Sequence, residues 1–327
     1  MDRAVQQTDY DAFSCKISAI NKKYLPCQKE LEFCEMKGFS ELHMAYVHRL
    51  KSLNKRAFGK VQRAVQSGLP LMNYGTYLRT VAIDVECKSF LQNAASNSKV
   101  QVLNLGCGSD LRMIYFLEQY PHLRWIDLDF AESVSLKAKI LRTEEQLKKV
   151  VGELRDASET EYVSDRYFLK SCNLNNIEKV LELLTEITDP EVPTLIITEC
   201  VLCYMDLPKS QALIHKLISL YKSGTWISYD PIGGDDVNDK FGSIMQTNLR
   251  ESRQLELPTL MVFNSTKKYA QRFEEVSKST EIETMWQYYV RQVTQEEKNR
   301  LKSLQFLDEI EELQLIFSHY VLLKSSW

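Results

Sequence analysis

The segment Val102-Leu-Asn-Leu-Gly106-Cys-Gly108-Ser-Asp110 is the strongest indication of the fold class, because a short apolar run ends there in two closely spaced glycines. A second apolar run ends in acids, in Trp125-Ile-Asp127-Leu-Asp129. In an α/β sheet, glycine after the first strand lets the backbone approach a nucleotide-like ligand, and a carboxylate after the next strand takes its ribose hydroxyls. The two stretches together predict a ligand-binding, doubly wound sheet.

The spacing of the glycines narrows the choice of ligand. A dinucleotide site has the pattern G-x-G-x-x-G, so that a pyrophosphate can lie on the helix N-terminus. Here the third position is Leu111, and a ligand without a pyrophosphate fits better. S-adenosylmethionine fits that description. An NAD-dependent dehydrogenase is disfavoured by Leu111 and by the lack of a hydride-site histidine.

The rest of the chain is organised around this motif. Strand-like and helical segments alternate over residues 99–235, which is typical of a parallel, doubly wound α/β sheet. We therefore predict a Rossmann-like core over residues 99–235, an N-terminal helical lid over 1–98, and an insertion with a closing strand of the same domain over 236–327. The segments 73–75, 133–151 and 313–323 are expected to form a turn, a helix and the last strand. The predicted core strands are 102–105, 123–126, 167–170, 194–197 and 225–229.

Composition excludes several classes of protein. The net charge of −3 on 327 residues, without a long block of like charge, argues against a nucleic-acid-binding arm. The polar N-terminus lacks the apolar region of a signal peptide, and Pro193 and Glu199 interrupt the longest apolar run. We expect a cytoplasmic protein that binds no membrane, and a monomer. The eight cysteines predict free thiols, because Cys200-Val-Leu-Cys203 has no second ligand pair for zinc.

Each predicted core strand is followed by glycine or a polar residue, at the edge where ligands bind in such sheets. Asp129 is the candidate ribose carboxylate and Asp127 the competitor, and only one of the two is expected to face the ligand. The remaining strand ends carry Gly106, Asn173-Leu174, Glu199 and Asp230-Pro231.

Glu199 interrupts an apolar run, where an unpaired charge is costly. Its partner is either a cationic ligand, such as the sulfonium and ammonium of S-adenosylmethionine, or a basic residue of the protein. Lys16 and Arg79 lie in the helical N-terminal part and could meet a ligand carboxylate or face solvent.

The chain shows no Ser-His-Asp or Cys-His pairing and no paired carboxylates at a hydrolase-like position. Methyl transfer to a carboxylate needs none of these. A carboxylate with a free pKa of ~4 is already ionised at neutral pH, so the protein need only align the reacting atoms and exclude water.

Five motifs follow one another along the chain: Ser14-Cys-Lys16, Asn73-Tyr-Gly-Thr-Tyr-Leu-Arg79, Asn104-Leu-Gly-Cys-Gly-Ser-Asp110, Thr198-Glu-Cys-Val-Leu-Cys-Tyr204 and Tyr229-Asp-Pro-Ile-Gly233. In this order they resemble the leucine carboxyl methyltransferases, most closely the fungal members, from about residue 8 to Trp327.

The resemblance implies an enzyme that uses S-adenosylmethionine to methyl-esterify the C-terminal leucine of the protein phosphatase 2A catalytic subunit, without a general base. It implies donor contacts at Lys16, Arg79, Gly106, Asp129, Leu174 and Glu199, to which we add Gly108 and Asn173. The family commonly has aspartate where this chain has Asn173, whose amide can still accept or donate a hydrogen bond near the adenine. Tyr204 and Arg79 are the candidate catalytic residues.

Two other functions are consistent with the same motifs. A related family methylates a modified guanosine in transfer RNA, but its members carry a long C-terminal extension, and this chain has no basic bias. A non-catalytic protein that clamps the phosphatase is the other alternative, and the intact ligand constellation argues against that as its sole role.

Overall fold

One mixed sheet of eight strands runs through the computed structural model, which describes residues 2–26, 38–66, 68–94, 99–155, 158–236, 238–307 and 310–327. The strands are β1 (Val100–Leu105), β2 (Leu123–Asp129), β3 (Tyr162–Val163), β4 (Tyr167–Ser171), β5 (Thr194–Glu199), β6 (Gly224–Pro231), β7 (Ser279–Thr284) and β8 (Tyr320–Ser326). Their order across the sheet is β3-β4-β2-β1-β5-β6-β8-β7.

The five central strands are parallel, and their carboxyl ends meet at one edge of the sheet. β1 pairs with β2 on one side and with β5 on the other, while β4 and β6 continue the parallel pairing outward. The chain therefore proceeds outward from β1 in both directions, and a ligand-binding crevice is expected where β1 and β5 end. The doubly wound α/β fold predicted from the sequence is confirmed.

The helices flank this sheet, and the regular elements described before Val100 are all helical. None of the described helices combines the length and the apolar character needed to cross a membrane. The helices are α1 (Asp2–Asn21), α2 (Phe39–Leu53), α3 (Lys55–Gln66), α4 (Pro70–Ala94), α5 (Met113–Gln119), α6 (Ala131–Thr143), α7 (Glu145–Val151), α8 (Ile177–Ile187), α9 (Leu207–Leu220), α10 (Phe241–Arg253), α11 (Thr266–Glu274), α12 (Met285–Gln292), α13 (Gln295–Leu304) and α14 (Ile310–Ser318).

Both faces of the sheet are buried, each in its own apolar core. Successive side chains of a strand point to opposite faces, so Val102 packs in the core that contains the N-terminal helices, whereas Leu103 and Leu105 pack against α8 and α9. Burial on both faces explains the nearly continuous apolar runs of the central strands. It also leaves the strand ends as the place where polar groups can be accommodated.

Three local predictions need correction. Residues 73–75 do not form a turn but lie within α4, because the buried Asn73 side chain accepts a hydrogen bond from Ser18 Oγ (2.9 Å) and donates one to Gln305 Oε1 (2.6 Å). These tertiary contacts override the local turn preference. The segment 133–151 belongs to two helices separated at Glu144.

The C-terminal strand is shorter than the segment 313–323 suggested. The first half of that segment belongs to α14, and the strand β8 begins at Tyr320. β8 pairs antiparallel with β6 and with β7. An apolar run of this length is compatible with either a buried strand or a buried helix. Neither β3 nor β7 was predicted. β3 has only two residues, and β7 lies at an edge of the sheet with none of its six residues buried, so it lacks the apolar run of a core strand.

Candidate functional site

A cavity of about 550 Å³ opens at the carboxyl edge of the parallel strands, between the sheet and α1. Side chains from the ends of β2 and β5, from α1 and from α4 converge on it. All nine candidate residues from the sequence line this one cavity: Lys16, Arg79, Gly106, Gly108, Asp129, Asn173, Leu174, Glu199 and Tyr204.

The loop after β1 passes the cavity in a conformation that only glycine adopts easily. Gly106 has φ +68° and Gly108 has φ +45°. A Cβ atom on Gly106 would come within 2.6 Å of a Val201 methyl, and one on Gly108 within 2.4 Å of Asp9 Oδ1. Both glycines are therefore required by the close packing around the loop as well as by its backbone conformation.

Asp129 and Asp127 differ in depth. They lie two residues apart and share a face of β2, so strand alternation does not separate them. Asp127 is fully buried and accepts hydrogen bonds from Lys137 Nζ (2.7 Å) and other groups. Asp129 lines the cavity, and its Oδ2 and Oδ1 accept the backbone N–H groups of Gly108 (2.7 Å) and Phe130 (2.6 Å). Asp129 is therefore the carboxylate that a ligand can reach.

Glu199 holds the centre of a buried ion-pair network. Its Oε1 accepts from Arg79 Nε, and its Oε2 lies 2.7 Å from Arg112 Nη1. Burial by itself would raise the pKa of Glu199, but the charges of Arg112 and Arg79 lower it below its usual range. Glu199 is therefore ionised and partnered by the protein, the second of the two possibilities left open by its sequence context.

Arg112 is a residue that the sequence analysis missed. Its side chain is fully buried, and besides Glu199 it contacts Asp84 Oδ1 (2.6 Å) and Asp110 Oδ2 (2.8 Å). The available signal was its position, between the apolar Leu111 and Met113 directly after the glycine loop. An arginine in such a setting indicates a buried charge that needs carboxylate partners.

Lys16 adds a further basic side chain to the cavity, near Glu199. Its Nζ donates to Thr80 Oγ1 of α4 (2.8 Å). Burial and the nearby charge of Arg112 lower the pKa of Lys16. Lys16 and Arg79 both line the cavity near the Glu199 carboxylate, an arrangement that complements a ligand carrying both an ammonium and a carboxylate.

The loop after β4 forms another wall. Leu174 is nearly buried, and Asn173 Oδ1 accepts the backbone N–H of Asn175 (3.0 Å). Among the described residues, the amide nitrogen of Asn173 has no hydrogen-bond partner, so it can donate to a ligand.

Tyr204 and Tyr229 line the cavity beside Cys200. Burial raises the pKa of Tyr204 well above its usual value, so its hydroxyl keeps its proton. The Arg79 guanidinium lies 5.3 Å from the centre of the Tyr229 ring. Burial also raises the pKa of the Cys200 thiol to about 12, which keeps it protonated and a poor nucleophile.

Asp230, the polar residue at the end of β6, does not reach the cavity. It is fully buried, and its Oδ2 accepts the hydroxyl of Tyr269 (2.6 Å). Cys203 is buried too, and the six cysteines among the described residues are free thiols. Cys27 and Cys34 lie outside the described residues.

Comparisons with known proteins agree with this geometry. A family model described as leucine carboxyl methyltransferase matches residues 4–218. The chain is 49% identical over 330 residues to leucine carboxyl methyltransferase 1 of Eremothecium gossypii, covering 100% of each chain. It is also 49% identical over 334 residues to the protein of the same name from Kluyveromyces lactis, covering 100% of this chain and 99% of that one.

The fold is similar to that of a crystal structure of a putative methyltransferase from Thermobifida fusca. The TM-score is 0.52 at 11% sequence identity, over 86% of this chain and 93% of that one. At this identity the likeness concerns the fold alone.

Proposed function

Because this chain belongs to the leucine carboxyl methyltransferase family and methylates a leucine carboxyl group, we propose that its acceptor is the C-terminal leucine of the protein phosphatase 2A catalytic subunit. The methyl donor is S-adenosylmethionine. The observation that supports this donor is the convergence of Glu199, Asp129, Arg79 and Lys16 on one cavity.

The charges of the cavity fit the donor at both of its polar ends. Glu199 can balance the ammonium of the methionine part, and Lys16 and Arg79 can bind its carboxylate. Asp129 can accept hydrogen bonds from the ribose hydroxyls, and the Gly106 loop lets the backbone approach closely. When bound, S-adenosylmethionine supplies an electrophilic methyl carbon next to a positively charged sulfur.

The protein's part in the reaction is alignment and exclusion of water. A leucine α-carboxylate has a pKa of ~3.5 and is ionised at neutral pH, so no side chain has to remove a proton. One carboxylate oxygen attacks the methyl carbon in line with the carbon–sulfur bond, whose electron pair stays on sulfur. The products are a methyl ester and S-adenosylhomocysteine, and no proton is exchanged.

Tyr204 and Arg79 are placed to orient the acceptor. The protonated Tyr204 hydroxyl can donate a hydrogen bond to one oxygen of the leucine carboxylate, leaving the other to react. Arg79 is held between Glu199 and the Tyr229 ring, which prevents it from swinging toward solvent. Holding both reactants in one geometry is a large contribution to rate when no acid–base step is needed.

The portions of the chain outside the core complete this function. Residues 1–98 act as a helical lid on the core of residues 99–235, and residues 236–327 contribute α10 to the wall of the pocket for the phosphatase tail. Methylation removes the terminal negative charge of the phosphatase and so changes which regulatory subunits it binds. The enzyme acts as a monomer in the cytoplasm.

The test is transfer of a labelled methyl group from S-adenosylmethionine to purified phosphatase catalytic subunit, with a version lacking its last leucine as the control. We expect base-labile label on the intact protein alone. Equal label on both proteins would overturn the C-terminal leucine as acceptor. No label on either, while the donor still binds, would also overturn it and favour a different acceptor, such as transfer RNA, or a binding-only role.

A further inference from the structure

Asp9 of α1 contacts the glycine loop after β1, which lines the cavity proposed for the donor. Its Oδ1 accepts the backbone N–H of Ser109 (2.6 Å), and its Oδ2 accepts the Ser109 hydroxyl (2.9 Å). Asp9 is partly buried and lines the cavity. Its contacts with the loop bring together residues that are 100 positions apart in the chain.

Asp9 and Asp129 approach the loop on adjacent peptide units. Asp129 Oδ2 accepts the N–H of Gly108, and Asp9 Oδ1 accepts the next N–H along the chain, that of Ser109. The Gly108 Cα, where a Cβ would meet Asp9 at 2.4 Å, lies beside both. Two carboxylates are thus held side by side at one end of the cavity.

This pairing is unfavourable for the protein by itself. Burial and the nearby charge of Asp129 raise the pKa of Asp9 to about 6. Among the described residues, no cation lies within ion-pairing distance of Asp9, and Lys137, whose charge acts on it, is bonded to Asp127. Two carboxylates held close together without a cation between them indicate a binding site for a ligand rich in hydrogen-bond donors.

We propose that Asp9 binds the ribose of the methyl donor together with Asp129, so that α1 supplies part of the donor site. A ribose has two adjacent hydroxyls, and each carboxylate has acceptor capacity beyond the single hydrogen bond that each of its oxygens makes with the protein. The ammonium of the donor is a less suitable partner for Asp9 and Asp129, because it is assigned to Glu199. Glu199 lies at the end of a different strand, β5. The inference rests on the proposed donor but not on the identity of the acceptor.

The same helix would then contact both ends of the donor. Asp9 and Lys16 are seven residues apart in α1, which is two helical turns, and so they lie on one face. Lys16 faces the methionine end of the cavity, beside Glu199 and Arg79 in the electrostatic network. Docking of α1 on the core therefore completes the donor site.

The test uses calorimetry with S-adenosylhomocysteine, which binds without turnover, and with its 2′-deoxy and 3′-deoxy analogues. The variants are Asp9→Ala and Asp9→Asn in the full-length chain. Asn can keep both contacts with Ser109, since its Oδ1 can accept the backbone N–H and its Nδ2 can donate to the hydroxyl oxygen, but it loses the charge. It therefore separates ligand binding from support of the loop. Asp11→Asn is the matched control, because Asp11 is a carboxylate of the same helix that also lines the cavity but is already ion-paired with Lys60 and Arg253.

We expect Asp9→Ala to weaken binding of S-adenosylhomocysteine about 10- to 100-fold, the range for a hydrogen bond to a charged group. Asp9→Asn should weaken it less, and Asp11→Asn should leave it unchanged. The decisive result is that the loss caused by Asp9→Ala shrinks about tenfold for the deoxy analogue that lacks the hydroxyl bound by Asp9.

An equal loss for S-adenosylhomocysteine and both deoxy analogues would overturn the inference, since Asp9 would then act only through Ser109. The inference would also be overturned if the Asp9→Asn variant bound S-adenosylhomocysteine and both deoxy analogues with wild-type affinity. Failure of the wild-type chain to bind S-adenosylhomocysteine would instead refute the proposed donor, and the inference with it. Methyl transfer to the phosphatase tests the acceptor separately.

Discussion

Replacing Arg112 by methionine should destabilise the protein more than any other change at the site. The arginine is fully buried and contacts three carboxylates, those of Asp84, Asp110 and Glu199, at 2.6 to 2.8 Å. Removing one partner from a buried ion pair costs about 3–5 kcal/mol. The three contacts do not add, because Glu199 keeps Arg79 and Asp84 keeps the hydroxyl of Tyr115 (2.9 Å).

A loss of about 3–5 kcal/mol is a large part of the 5–15 kcal/mol that stabilises a typical domain. The loss of stability caused by Arg112→Met should become smaller at acid pH. Burial already raises the pKa of Asp84 with Arg112 present, and loss of the arginine raises it further. The folded variant then binds protons more readily than the unfolded chain, so its free energy of unfolding recovers as the pH falls.

Urea unfolding at pH 7.5 and pH 5.5 measures both effects. The matched control is Arg155→Met, which removes an exposed arginine paired with an exposed Asp165 and should cost less than about 1 kcal/mol. If Arg112→Met cost no more than this control, the reasoning that Arg112 neutralises the buried carboxylates would be refuted. A large loss with no recovery at pH 5.5 would show that packing, not charge, is the cause.

Three further results are expected at the cavity. Glu199→Gln and Arg79→Ala should each weaken donor binding about 10- to 100-fold by calorimetry while the fold survives; unchanged affinity would make the pair structural. Burial and Asp129 raise the pKa of Asp9 to about 6 from 3.8, so the folded chain binds this proton more tightly than the unfolded one. The unfolding free energy should therefore fall by up to about 3 kcal/mol between pH 4 and pH 7. Asp9→Asn should abolish that fall in urea titrations. An identical pH profile in both proteins would contradict the raised pKa of Asp9. Tyr204→Phe should lower kcat and leave the donor Kd unchanged, since its hydroxyl is assigned to the acceptor; a weaker donor Kd would contradict that assignment.

The features that sequence reasoning predicted correctly are local ones. The Gly106 loop and the acids that end β2 and β5 are each visible as an apolar run followed by a residue of a special type. In a parallel sheet, all such strand ends meet at one edge, so topology by itself brings Gly106, Asp129 and Glu199 to one cavity. The mistaken turn at residues 73–75 shows the limit of this reasoning, because long-range hydrogen bonds to Asn73 decide its conformation.

The order of residues within a few positions is enough to predict the parallel core, the glycine loop and the strand-end carboxylates. The charge partners depend instead on contacts between distant parts of the chain. Glu199 meets Arg79 across 120 positions, and Asp9 meets Ser109 across 100. No periodicity encodes such pairs, since they depend on how α1 and α4 dock on the finished sheet, where the burial of each charge makes a partner necessary.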